Sequence, residues 1–168
     1  PPSLHNARLI ARINEDALRV AHLGTTQFEL SSPTSVGRLI NIAGRQRMLS
    51  QRMAKFYMFQ QWGISSPNMD TEMQLAKREF LSALDALEHA PENTGKISGE
   101  LSLARTQWIF FENSLQEQSV GNKNPHDAVN VATTSERILE MMDRITDLYG
   151  QLPASAPVAS PATWPARR

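Results

Sequence analysis

Apolar residues recur every three or four positions along most of the chain, which is the spacing of an amphipathic helix. Short runs rich in proline, glycine and serine separate these stretches. No Asn-Gly or Asp-Gly turn joins two alternating apolar runs, so strand signals are scarce. The pattern predicts helices over about 4–28, 35–62, 70–90, 98–118 and 124–152.

The spacing also predicts which side of each helix is buried. In the third and fourth helices, the expected buried stripes are Met73, Ala76, Phe80, Ala83 and Leu87, and Leu101, Ala104, Trp108, Phe111 and Leu115. The fifth helix keeps a heptad spacing from Ala128 to Leu152. Four long amphipathic helices with short loops predict an all-α fold, an antiparallel four-helix bundle with an additional N-terminal helix.

Three segments follow from this pattern. Residues 1–32 hold the leading helix, which extends the bundle, packs on a neighbouring domain or belongs to a preceding repeat. Residues 33–152 form the four-helix domain. Residues 153–168 are rich in proline and alanine and are expected to be a disordered tail. The chain begins with Pro-Pro and no apolar signal region, which is expected of a processed protein or a fragment.

Composition excludes several classes of function. The 168 residues carry 17 basic and 17 acidic side chains, so no basic excess favours nucleic acid. Without cysteine there are no thiolate metal sites or cysteine nucleophiles. The four histidines form no metal-binding pair, and no nucleotide-binding or hydrolase motif occurs. The sequence predicts no catalytic residue, metal or cofactor, and no apolar stretch of roughly 18 residues that would span a membrane.

The second helix and its flanking loops form the most informative segment. Residues 30–69 contain no Asp or Glu. They do contain five cations, which are Arg38, Arg45, Arg47, Arg52 and Lys55. The segment therefore lacks the acidic partners at i+4 that usually accompany cations on a solvated helix. Either the other helices supply the carboxylates, or the partner is an anion.

A helical wheel divides the second helix into two faces. The expected core stripe spans about 100° and contains Leu39, Ile42, Leu49, Met53, Phe56 and Tyr57. The opposite face has small, mostly uncharged residues, and its Gly44 indicates close packing against another helix, because glycine inside a helix costs about 1 kcal/mol. We therefore expect a homodimer. Its predicted interface consists of Ile40, Ala43, Gly44, Arg47, Ser50 and Ala54.

Arg47 is the single cation on this second face. If two copies pack through the face, two Arg47 guanidinium groups meet near the two-fold axis and repel each other. A small anion between them would relieve the repulsion and accept their planar donors. The alternative is an ion pair between Arg47 and a carboxylate of another helix, such as Glu136 or Asp143.

The thirteen residues from Asn41 to Met53 read NIAGRQRMLSQRM. They combine Ala-Gly, then Arg and Met, then Ser-x-Arg. This motif resembles the signature of the N-terminal domain of type IV pili methyl-accepting chemotaxis transducers, the PilJ-type domain. It also resembles, more loosely, the periplasmic P-box of nitrate/nitrite sensor histidine kinases. In helix pattern the resemblance covers about residues 33–152.

The resemblance implies a periplasmic, all-α sensor domain that dimerises through its first bundle helix. Some proteins of these families bind nitrate or nitrite at that interface, and the arginine that binds the anion in them corresponds to Arg47. The motif glycine corresponds to Gly44. Asn41 and Ser50 match motif positions that could donate hydrogen bonds. The expected ligand-binding residues are therefore Arg47, Gly44, Asn41 and Ser50.

Two functions stay open at this point. The first is a periplasmic sensor domain that recognises a small inorganic anion, such as nitrate or nitrite, at a homodimer interface. The second is a ligand-free dimerisation or interaction module of a periplasmic or type IV pilus-associated signalling system.

Arg45 lies about 160° from Arg47 on the wheel. Because Arg52 points to a similar side, both are expected to form structural ion pairs.

Overall fold

Five helices make up almost all of the chain that the computed structural model describes, which is residues 3–31, 34–64, 68–116 and 125–153. They are α1 (Leu4–Ser31), α2 (Ser35–Gln61), α3 (Met69–Glu88), α4 (Gly95–Gln116) and α5 (Pro125–Gly150). The predicted all-α class is confirmed. The predicted tail lies outside the described residues beyond Pro153. None of the described helices is both long enough and apolar enough to cross a bilayer.

Helices α2 to α5 form a ring in which each packs against two neighbours. α2 contacts α3 and α5, and α4 contacts the same two helices from the other side. α2 and α3 are antiparallel, because Arg45 in the first half of α2 pairs with Glu79, whereas Arg52 about two turns later pairs with Glu72. This arrangement is the predicted bundle, with α1 as the additional helix.

Local signals set both ends of α2. At its start, the Thr34 hydroxyl oxygen accepts a hydrogen bond from the Gly37 backbone N–H at 2.9 Å, which satisfies a free donor of the first turn. At its end, Gly63 has a φ of 70°, a left-handed conformation that glycine adopts without strain. α2 therefore begins and ends close to the predicted positions.

Aromatic side chains fill the centre of the bundle. The Phe80 and Trp108 rings stack with centroids 4.3 Å apart, and Phe111 meets Trp108 edge-on at 5.9 Å. The predicted stripe of α4 is buried throughout, as is most of the α3 stripe. On α3, Leu84 is fully buried where the pattern predicted its neighbour Ala83, which is only half-buried.

A polar contact ties the end of α5 to the loop between α3 and α4. The buried Tyr149 hydroxyl donates a hydrogen bond to Asn93 Oδ1 at 2.6 Å. The Asn93 amide in turn donates to the Leu87 carbonyl at 2.7 Å, at the end of α3. Burial, with the nearby Glu92 carboxylate, raises the pKa of Tyr149 to about 12. The neutral phenol is therefore the form that the fold favours.

α1 packs along α2 through polar groups. Glu15 accepts hydrogen bonds from Arg52 at 2.7 Å and from Lys55 at 2.5 Å, and Asn14 Oδ1 accepts a second one from Lys55 at 2.5 Å. Burial raises the pKa of Glu15, but the hydrogen bonds from Lys55 and Arg52 outweigh it, so the pKa lies below its ordinary value. The ionised carboxylate is the form that holds α1.

The apolar stripe of α1 faces solvent. Ile10, Ile13 and Val20 are each more than half exposed, whereas Ala7 is buried. Charge pairing is therefore the main attachment of α1 to the bundle. Whether this helix derives from a preceding repeat stays a prediction.

Replacing Tyr149 with Phe should destabilise the protein by about 1 kcal/mol, the usual contribution of one hydrogen bond. Because the folded pKa is raised above the unfolded value of 10.0, its contribution is complete below pH 10 and is lost toward pH 12. Chemical denaturation of both proteins at several pH values measures this. The wild type should lose more stability than Tyr149→Phe between pH 10 and 12, and parallel losses would contradict the prediction.

Replacing Glu15 with Gln should loosen α1 and leave the ring of α2 to α5 intact. Loss of a partly exposed ion-pair network costs about 1 kcal/mol, so amide exchange in α1 should accelerate about fivefold. Because the Glu15 pKa is lowered, acidification of the wild type through that pKa should produce the same effect. Hydrogen exchange with mass spectrometry measures both.

Asp16→Asn is the matched control, because the exposed Asp16 pairs with Arg19 of its own helix, at 3.8 Å, and with no cation of α2 in the described part of the chain. Its α1 exchange should equal that of the wild type. Equal acceleration in both variants would show that Glu15 has no special role in holding α1.

Candidate functional site

Carboxylates of the other helices pair with most cations of the acid-free segment. Arg45 pairs with Glu79 of α3, and its Nη1 lies 2.8 Å from Nδ1 of His22 on α1. Arg52 bridges Glu15 and Glu72, at 2.7 and 2.9 Å. The structural ion pairs predicted for Arg45 and Arg52 are therefore confirmed.

Arg52 is the most enclosed of these cations. Its guanidinium carbon lies 5.1 Å from the centroid of the Phe56 ring, and Lys55 Nζ lies 5.0 Å from the same ring. Burial lowers the pKa of Arg52, but the hydrogen bonds and charges of Glu15 and Glu72 outweigh it and raise the pKa. Arg52 thus joins three helices and is committed to structure.

Arg47 pairs with α5 at a more open position. Its Nη1 lies 2.9 Å from Oδ1 of Asp143, and the two side chains are 40% and 52% exposed. This is one of the two carboxylates that the sequence offered as an alternative to an anion. An ion pair this exposed is weak, because water solvates both partners and competes with their attraction.

A groove of about 790 Å³ lies between α1, α2 and α5, with Arg47 in its wall. Gly44 and Asn41 line the same groove, about one and two turns before Arg47 along α2. A Cβ added at Gly44 would meet no heavy atom within 4 Å, so the missing side chain leaves open space there. The structure therefore brings together three of the four predicted ligand residues, as a cluster in one wall.

Ser50, the fourth predicted ligand residue, lies elsewhere. It is fully buried, and its hydroxyl donates a hydrogen bond to the Arg47 backbone carbonyl at 2.9 Å. Its side chain does not line the groove. Ser50 therefore supports the helix turn that carries Arg47 and has no access to a ligand in this conformation.

The predicted second face of α2 is only partly a surface. Ala43 and Ser50 are completely buried and Ala54 is 7% exposed, so placing these three opposite the core was wrong. Ile40, Gly44 and Arg47 are half-buried and border the groove. The physical reason is that α2 packs against three helices, α3, α5 and α1, so its buried arc is wider than one core stripe. The homodimer itself stays a prediction.

Gln46 shows how far this burial extends. It is fully buried although the apolar pattern skips it, and its amide nitrogen donates to the Phe80 carbonyl at 3.0 Å. Sequence reasoning also missed Glu15 as the partner of Arg52. The lack of Asp and Glu on α2 indicated that neighbouring helices supply the carboxylates. The sequence pattern could not show which carboxylates pair with which cations.

The side chains that most often bind metal ions are dispersed in the described part of the chain. No group of three or more His, Asp or Glu side chains there is placed to hold a metal ion. His22 lies against Arg45, and His89 Nδ1 lies 2.8 Å from the Asp85 carbonyl in its own helix. The groove with its arginine is therefore the feature from which function can be argued.

Comparison with known families gives one result. The family model PilJ, described as Type IV pili methyl-accepting chemotaxis transducer N-term, matches residues 28–100. The matched span holds α2, α3 and the motif from Asn41 to Met53. No curated protein and no solved structure matches the chain significantly. The resemblance drawn from the motif is confirmed: residues 28–100 match the model of the PilJ family, which describes the N-terminal domain of these transducers.

Proposed function

We propose that this chain is a periplasmic, non-enzymatic sensor domain that recognises a small anion through Arg47. The family match supports a sensor-like helical domain of a chemotaxis transducer. The observation that carries the anion is the cluster of Asn41, Gly44 and Arg47 in the wall of an open groove. Nitrate or nitrite is the first ligand to test, because the motif is similar to that of nitrate sensors.

The chemistry of Arg47 suits a planar anion. A guanidinium presents parallel N–H donors that two oxygens of nitrate can accept at once. Arg47 is half-exposed, so an anion reaches it from solvent, and its present partner Asp143 is held by a weak pair. Nitrate binding would therefore replace the Asp143 carboxylate with another anion at the same N–H donors of Arg47.

A homodimer would complete this site. Ile40, Gly44 and Arg47 are the predicted interface residues that border open space, and they fall on one line along α2. A second copy docking on this line would place two arginines near one anion. Ligand binding and dimerisation would then strengthen each other, because the anion offsets the repulsion between the two guanidinium groups.

One observation favours the second function, a ligand-free interaction module. Arg47 already has a carboxylate partner within its own chain, at 2.9 Å. In that function the pair between Arg47 and Asp143 only fastens α2 to α5, and the exposed line on α2 binds a protein. The two functions differ in whether Arg47 binds an anion that Asp143 can replace.

Calorimetry with nitrate, nitrite and sulfate separates the two functions. Arg47→Ala should weaken nitrate binding by at least about tenfold, since hydrogen bonds to charged groups contribute about 1.5–3 kcal/mol. Arg47→Lys should also bind weakly, because an ammonium lacks the planar fork. Asp143→Asn should bind up to about fivefold more tightly, because a competing partner worth at most about 1 kcal/mol is removed.

Arg38→Ala is the matched control, because Arg38 is an exposed arginine of the same helix that does not line the groove. Its nitrate affinity should equal that of the wild type. Equal affinity in all variants would reject Arg47 as the site. No binding to the wild type would favour the ligand-free module.

Gly44→Leu should weaken the homodimer by more than about 1 kcal/mol, because a large side chain forces the paired helices apart. Gly99→Leu is the control: this α4 glycine also has open space around an added Cβ, and the same gain in helix propensity applies. Sedimentation over a range of concentrations measures the monomer–dimer equilibrium. Identical dimers in the two variants would exclude the Gly44 line as the interface.

A further inference from the structure

We propose that the groove between α1, α2 and α5 binds an amphipathic organic monoanion, a carboxylate with a linear apolar body, whose carboxylate pairs with Arg47. This inference rests on the proposed anion recognition by Arg47 and extends it from the charged group to the whole ligand. It needs one chain only, because all three walls of the groove belong to the same protomer.

The size of the groove argues against an inorganic anion as its full occupant. Its volume of about 790 Å³ lies within the range of roughly 300–1,000 Å³ that is usual for sites of small organic molecules. A nitrate ion held at Arg47 would leave most of this space to water. A ligand with a carbon chain would replace that water and gain from the removal of apolar surface from solvent.

Apolar side chains from all three helices line the groove. Leu18 comes from α1, Ile40 and Met48 from α2, and Leu139 from α5. The open space at Gly44 lies beside Arg47 on the same wall. A carboxylate on Arg47 can therefore continue directly into an apolar chain that lies along these residues.

The charge of the lining determines the sign of the ligand. Arg45 and Arg47 line the groove, and none of the described residues that line it is an Asp or Glu. Arg45 is occupied by Glu79 and His22, so Arg47 is the cation that a ligand can take over. Its partner Asp143 is 52% exposed and returns to water when a ligand carboxylate replaces it. The exchange leaves no charge buried without a partner.

Calorimetry with acetate, butyrate, hexanoate and octanoate at constant ionic strength tests the proposal on the full chain. Affinity should rise by up to about fourfold for each methylene that enters the groove. Hexan-1-ol should bind more weakly than hexanoate, because it has the chain without the charge. Arg47→Ala should weaken octanoate binding by about tenfold.

Two matched variants of α1 test the location. Ala21→Trp should weaken octanoate binding, because Ala21 lines the groove and the indole occupies the space of the chain. Ala17→Trp should leave binding unchanged, because Ala17 is exposed on the same helix and does not line the groove. Neither position belongs to the proposed dimer line on α2, so a change in dimerisation does not account for the difference.

The outcomes separate this inference from the proposed function. If nitrate binding depends on Arg47 but octanoate binds no more tightly than acetate, anion recognition holds and the organic ligand is rejected. An octanoate affinity that is unchanged by Arg47→Ala or by Ala21→Trp also overturns the inference. If no anion binds to the wild type, both proposals fail together.

Discussion

The lack of any carboxylate on α2 is the constraint on which the arrangement of the other helices depends. α2 lies between α3 and α5 and brings four paired cations to their surfaces and to α1. Each neighbouring helix supplies carboxylates that pair with these cations, so charge pairing helps to place every helix that contacts α2. The pairs differ in exposure: the Arg52 network is enclosed and fixes structure, whereas the pair of Arg47 with Asp143 is open to solvent.

The apolar pattern was most informative for helices that pack mainly against two neighbours. α4 and α5 follow their predicted stripes, from Leu101 to Leu115 and from Val131 to Tyr149. The pattern failed on α2, where small residues such as Ala43 were assigned to an outer face although they are buried. A small residue gives the same sequence signal whether it faces a partner chain or a second helix of its own chain. Only the positions of α3 and α5 distinguish these cases.

The candidate site was predictable in part for a related reason. Asn41, Gly44 and Arg47 share one side of α2, so their spacing alone groups them. The walls from α1 and α5 could not be derived, because the exposed apolar stripe of α1 gave no sign that its polar side faces the bundle. The size and apolar lining of the groove are therefore properties of the assembled helices.

The buried amide of Gln46 has a consequence for how movement can pass along the bundle. Its bond to the Phe80 carbonyl is a fully buried polar contact between α2 and α3, in addition to the more exposed ion pairs of Arg45 and Arg52 with α3. Sliding one helix along the other would first move this amide away from its acceptor and leave it unpaired in the core until another carbonyl came within reach. Sliding between α2 and α3 is therefore opposed, and the two helices are expected to move as one rigid pair. A signal that starts at Arg47 would then displace this pair against α5.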